Sequence, residues 1–166
     1  GGVLTGTWPN DIRLAFPDTP VVIHEDAVNA ARAADPDAPN NVGTRLVALL
    51  EREGQLVPVT DGTEIADAVR VRSAPGHRVG HMCVHVDGPD PFVHAADTFH
   101  NEAHVAHPEW DTSADEDPET ALATRRRVLA ELADSGARAV ITHMPGPHAF
   151  RIARDNGVLS LVAEQP

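Results

Sequence analysis

Apolar and polar positions change their period several times along this chain, and each change marks an element. Residues 8–18 are rich in turn formers (Pro9, Asn10, Pro17), and Val21-Val22-Ile23 is a short β-branched run suited to a buried strand. A helix is expected over 25–34, ended by Asp35-Pro36, and 35–41 reads as a loop on composition. Over 44–53 the apolar residues Leu46, Val47, Leu49 and Leu50 recur at helical spacing, and Gly54 stands where a C-terminal cap belongs. From 56 to 97 the period falls to that of strands. Residues 56–59, a turn at Asp61-Gly62 and 69–72 predict successive antiparallel strands with one apolar face. Over 79–86 His81, Cys83 and His85 share one face while Met82, Val84 and Val86 share the other, with His85 read as solvated. A strand over 91–95 then carries Asp97 to its C-terminal end.

The clearest helix spans 118–135. Asp117 suits the N-cap, Pro118 the first helical position, Glu119 the positive end of the helix dipole and Gly136 the stop. Leu122, Leu129 and Leu132 lie near one face. Arg125, Arg126 and Arg127 point in different directions around such a helix and read as a solvated face. Residues 137–142 form a buried-strand pattern that ends in His143, 144–148 are a rigid loop, and 158–163 are a final strand. The order of elements fits an α+β layer architecture.

Charge and composition narrow the classes. The 166 residues are 42% hydrophobic and 23% charged, ordinary for a soluble globular domain, and the extent 1–166 reads as a single domain or part of one. No run approaches the length of a membrane span. A net charge of −12 argues against nucleic acid, whose phosphates call for an excess of Lys and Arg. The lone Cys83 excludes an internal disulfide. Cytoplasmic location is the default reading, because the N-terminus carries no information on targeting.

Histidine carries the candidate chemistry. The stretch Ser73-Ala-Pro-Gly-His77-Arg-Val-Gly-His81 is a strand end, a glycine turn and the start of another strand; Asp97 and His143 follow later apolar runs. Imidazole and carboxylate suit zinc and related divalent ions, and a catalytic site gathers such ligands from several strand ends. With 10 histidines in the chain, spacing alone supports metal ligands and ordinary surface residues equally. His100 and His104, at i and i+4, either face one another on a helical turn or line a loop beside the site; Pro108 and Trp110 favour the loop. Trp110 and Phe99 are read as pocket walls or core. His81, near the turn, is placed to support the site by a hydrogen bond, and His148 is either loop surface or an aid to substrate binding.

The blocks Ala74-Pro-Gly-His-Arg-Val-Gly-His81, Phe92-Val-His-Ala-Ala-Asp97 and Ala139-Val-Ile-Thr-His143 resemble the second half of the metallo-β-lactamase superfamily, whose hydrolases take one ligand each from a "PGHxxGH" turn, a "GD" strand end and a "TH" strand end. The stretch 16–25 resembles the family strand after its first motif. His107-Pro-Glu-Trp110 and Asp115-Glu-Asp-Pro-Glu-Thr120 look like the branch that holds methyl parathion hydrolase and certain acyl-homoserine lactonases. The resemblance implies an αββα sandwich and two bound Zn2+ ions, other divalent metals being possible. It implies His77 as a ligand of one ion, Asp97 as the bridging carboxylate that positions a metal-bound hydroxide, and His143 as a ligand of the second ion. His81, His100 and His148 fall beside the metals or in the pocket.

The family's "HxHxDH" signature, which supplies four ligands, has no counterpart here, and Gly1-Gly2-Val3-Leu4 resembles the residues just after it. The expectation is therefore an incomplete sandwich, a C-terminal portion without its first strands and first metal motif. The intact parent would be a zinc-dependent hydrolase acting on a small-molecule lactone, ester or phosphotriester, and the chain alone would be inactive or impaired. The alternative is a non-catalytic fragment or interaction module with an incomplete metal site. Uncovered sheet surface would then lead to self-association, or to pairing with the missing N-terminal segment.

Overall fold

Alternation and helical spacing become a mixed α/β structure in the computed structural model, which describes residues 3–7, 11–35, 41–143 and 149–163. Two units, Gly1–Val59 and Thr60–Pro166, gather most of their contacts internally.

In the first unit β1 (Leu4–Thr7) and β2 (Asp11–Leu14) form an antiparallel pair, β2 lying within the stretch 8–18 that reads as rich in turn formers. The β-branched run forms β3 (Val21–His24), followed by α1 (Glu25–Ala33) and α2 (Val42–Arg52). Both helices start on side-chain caps: His24 accepts from the Asp26 N–H, and Asn41 from the Thr44 N–H. Their apolar faces bury Val28, Val47 and Leu50, and Thr44 donates to the Ala31 carbonyl across the helix pair at 2.8 Å. β4 (Leu56–Val59) corrects the expected meander. It pairs in parallel with β3, from Val21 opposite Leu56 to His24 opposite Val59, because the two intervening helices form the long crossover that parallel strands require.

The second unit is built on seven strands in the order β11-β10-β9-β8-β7-β6-β5. These are β5 (Glu64–Ala66), β6 (Val69–Ser73), β7 (Met82–Val86), β8 (Phe92–His94), β9 (Arg138–Val140), β10 (Ala149–Asp155) and β11 (Val158–Ala163). The four-residue helix α3 (Ala103–Ala106) and the long α4 (Pro118–Ser135) complete it. Helix α4 starts and stops where its sequence signals say: Asp117 accepts from the Thr120 N–H, and Gly136 takes the left-handed conformation, φ +65°. Val128, Leu129 and Leu132 pack with Val93, Ala139, Phe150 and Ile152 of the sheet and with Phe99, which is fully buried. Phe99 is therefore core, while Trp110 is exposed and stacks on His107.

Two residues depart from the reading of the sequence. His85 is not solvated; it lies on the same face as buried Cys83, 3.5 Å from Glu131 of α4, which covers it. Arg125 is not part of a solvated run; it is among the largest fully buried side chains. Strand β10 falls in a stretch, between the loop at 144–148 and the strand at 158–163, to which the sequence reading gives no element. Among the described residues no helix is long and apolar enough to cross a membrane.

Candidate metal centre

One end of the seven-stranded sheet collects the candidate residues. β8 and β9 run parallel with His94 opposite Val140, and the Ala95 N–H donates to the Val140 carbonyl at 2.8 Å. Asp97 and His143 each stand three residues beyond that paired rung, so the two strands deliver them side by side. β7 runs antiparallel to β8, with Val84 opposite His94, so the loop joining β6 to β7 opens at the same end and brings His77.

That loop is fixed by α4. Asp117 donates its N–H to the Gly76 carbonyl at 2.9 Å, Glu116 to the His77 carbonyl at 3.2 Å, and the Thr124 hydroxyl to the Pro75 carbonyl at 2.7 Å. Gly76 is required here twice over. Its φ is +118°, and a Cβ on it would lie 2.2 Å from the Ala121 backbone nitrogen.

The side chains converge on Asp97. His77 Nε2 lies 3.6 Å from one carboxylate oxygen of Asp97, and His143 Nε2 lies 3.2 Å from the other. His100 fills the space between the two histidines. Its ring stacks on His143 at 5.3 Å, almost parallel, and tilts against His77 at 4.9 Å. The Nδ1 atom of His100 is buried without a hydrogen-bond partner. Burial, then the neighbouring His77, holds the His100 pKa below its ordinary value, which favours the neutral ring.

His81 is committed elsewhere. Its Nδ1 lies 2.9 Å from the Ala74 carbonyl and so carries the proton, and its Nε2 accepts the Asp97 N–H at 3.1 Å. With both nitrogens used on the backbone, His81 ties the β6–β7 loop to the Asp97 turn. Burial pushes its pKa down as well.

His104 lies under the site, 2% exposed, and accepts the His100 N–H on its Nδ1 at 3.2 Å. His148 lies outside the described residues.

Sequence reasoning passed over Asp115 and Arg125. Asp115 is 2% exposed; one carboxylate oxygen is 3.1 Å from His77 Nδ1, and the other takes an ion pair from Arg125. Arg125 also donates to the carbonyls of Thr98, Pro108 and Trp110 at 3.3, 3.0 and 3.1 Å. One donor atom each of His77, His100 and Asp115 lies within 4.8 Å of the others, a spacing that suits a metal ion. The Arg125 guanidinium against Asp115 opposes a cation there, which leaves the Asp97 side of His77 as the better place for one. The signal available in the sequence was the "DED" run before α4, in which one carboxylate caps the helix and another turns inward.

No protein-family model and no curated protein matches this sequence. Solved structures do. AidC, a dizinc quorum-quenching lactonase in complex with a product, matches with a TM-score of 0.78 at 23% identity, over 92% of this chain and 57% of that one. AbOPH, a hydrolase in the beta lactamase superfamily, gives 0.77 at 21%, over 92% and 57%. A probable metal-dependent hydrolase from Staphylococcus aureus gives 0.71 at 18%, over 92% and 55%. The chain spans little more than half the length of these three structures. Its fold is that of the metallo-β-lactamase hydrolases, present in part.

Proposed function

We propose that this chain is part of a metal-dependent hydrolase in which His77, Asp97 and His143 would hold divalent ions, the two histidines from opposite sides of the Asp97 carboxylate. The observation that supports this most is the pair of Nε2 atoms set against the two different oxygens of the single Asp97 carboxylate. The donor set fits such ions: two imidazoles and a carboxylate at one sheet end, with the orphaned His100 Nδ1 beside them. Zinc is the first choice for these donors, and manganese, iron and cobalt accept the same set. When bound, the ions supply Lewis acidity that activates water and polarises a carbonyl or phosphoryl oxygen. His81 holds the backbone of Asp97, and His100 lines the space where a substrate would lie.

The likeness to a lactonase and other hydrolases supports a small-molecule lactone, ester or phosphotriester as the substrate of the intact parent. Within this chain each ion has two of these donors, where catalytic zinc takes three protein ligands. The chain alone, one partial domain over 1–166, is therefore inactive or impaired. Elemental analysis of this chain, and of a version extended upstream through its native reading frame, tests the reading. A metal-poor short chain, with two ions and lactone opening in the long one, supports it. Two versions that both lack metal support the other reading, a non-catalytic interaction module with an incomplete site.

A further inference from the structure

The Asp115 carboxylate sits on the far side of the His77 ring from Asp97, and nothing in the hydrolase reading gives it a task. It is 2% exposed, Arg125 is 1% exposed, and the segment that carries it is locked to the His77 turn by the Glu116 and Asp117 N–H groups. Arg125 is held in turn by the carbonyls of Thr98, Pro108 and Trp110, so it cannot follow Asp115 elsewhere. An ionised carboxylate only accepts hydrogen bonds. His77 must therefore carry its proton on Nδ1 to meet Asp115, which leaves the Nε2 lone pair free toward Asp97.

We infer that Asp115, clamped by Arg125, is the positioning residue that fixes the tautomer and ring plane of His77 so that Nε2 stands ready to ligate. This rests on the assignment of His77 as a metal ligand made above. Orientation of a ligating imidazole by a carboxylate is a general device of metal sites. Here it takes an unusual amount of buried charge, one ion pair and three carbonyls behind a single ring. The same chemistry predicts what an amide does in its place. Arg125 has only donors, so the oxygen of Asp115→Asn stays with Arg125 and its NH2 turns to His77 Nδ1. The ring proton then moves to Nε2, where it blocks ligation.

The test begins with the metal-free 166-residue chain, labelled with 15N in histidine, at a pH where the rings are neutral. Long-range 1H–15N correlations report which nitrogen carries each proton, and His77→Gln assigns the His77 signals. The expected result is an Nδ1–H ring in the unmodified chain and an Nε2–H ring in Asp115→Asn. Zinc affinity, measured by competition with a chromophoric chelator on the upstream-extended chain, should fall about 10- to 100-fold in Asp115→Asn. Arg52→Ala, at an exposed position on α2, should leave it unchanged. An Nε2–H ring at His77 in the unmodified chain overturns the inference, and that measurement needs no variant to fold. So does a folded Asp115→Asn chain with the tautomer and zinc affinity unchanged. If the extended chain takes up no zinc at all, the hydrolase assignment fails while the tautomer still decides the role of Asp115.

Discussion

Ala96 adopts φ +46° one residue before Asp97, at the position that glycine holds in the "GD" strand end this block resembles. A side chain in that left-handed region costs roughly 1–2 kcal/mol against glycine, part of which glycine loses again to its freer unfolded chain. Ala96→Gly should therefore stabilise the chain by up to about 1 kcal/mol, read as a higher midpoint in chemical unfolding. A lower midpoint would mean that the Cβ of Ala96 contributes packing that outweighs its backbone strain. Gly76 predicts the opposite. A methyl group there meets the Ala121 backbone while φ stays at +118°, so Gly76→Ala combines overpacking with strain and should cost about 2–4 kcal/mol. An unfolding midpoint within error of the parent would show that α4 can retreat from the turn. The glycine and histidines of this turn were legible because turn chemistry is local. Asp115 and Arg125 were not, because what identifies them is each other: a carboxylate in an acidic run and an arginine in a basic run look solvated until the fold buries both.

Helix α3 has four residues, too few to persist on local hydrogen bonds alone. It is held by Asn101, whose side chain accepts the Ala103 N–H at 3.0 Å, and by buried His104, which accepts the His100 N–H. Burial, and then nearby Arg125, holds the His104 pKa below 6.5. Between the folded and unfolded values the unfolded chain binds the extra proton. The stabilisation is thus complete above about 6.5 and is lost as pH falls below it. His81, His85 and His100 are lowered by burial too and act in the same direction. Urea midpoints should fall from about pH 7 to about pH 5, each such group contributing at most about 1.4 kcal/mol per pH unit. His104→Gln should flatten that slope; an unchanged slope would place the proton uptake elsewhere. Among the elements, α4 was the most legible, since cap, proline, apolar face and stop all agree. Strand β10 shows the reverse case. Its alternation of Phe150 and Ile152 with Arg151 is present, but arginine and aspartate at its far end disguise a strand whose inner face is core.

At the scale of the whole molecule the α+β class and the partial sandwich were legible because three short motifs, in order, each end a strand. The parallel pairing of β3 with β4 was not, since period alone cannot say which strand is the partner. β11 raises a question about association. It is the edge of the seven-stranded order among the described residues, and Val158-Leu-Ser-Leu-Val-Ala163 contains no charge and no proline. Val158 and Val162 are 65% and 48% exposed, so apolar side chains of this edge strand face solvent even though α3 packs beside it. Natural edges are usually blunted by lysine, proline or a bulge, and an unblunted one pairs with another chain. Against this stands the net charge of −12, which repels a second copy over about 8–10 Å at moderate ionic strength. The two effects separate by salt. Sedimentation should show a concentration-dependent dimer that strengthens as salt rises, and Val162→Lys should abolish it with little change in the unfolding midpoint. Loss of association in the upstream-extended chain would mean that the added segment covers the same edge. A monomer at all salt concentrations, for the parent and for Val162→Lys alike, would show that the edge is protected and that self-association is not a property of this chain.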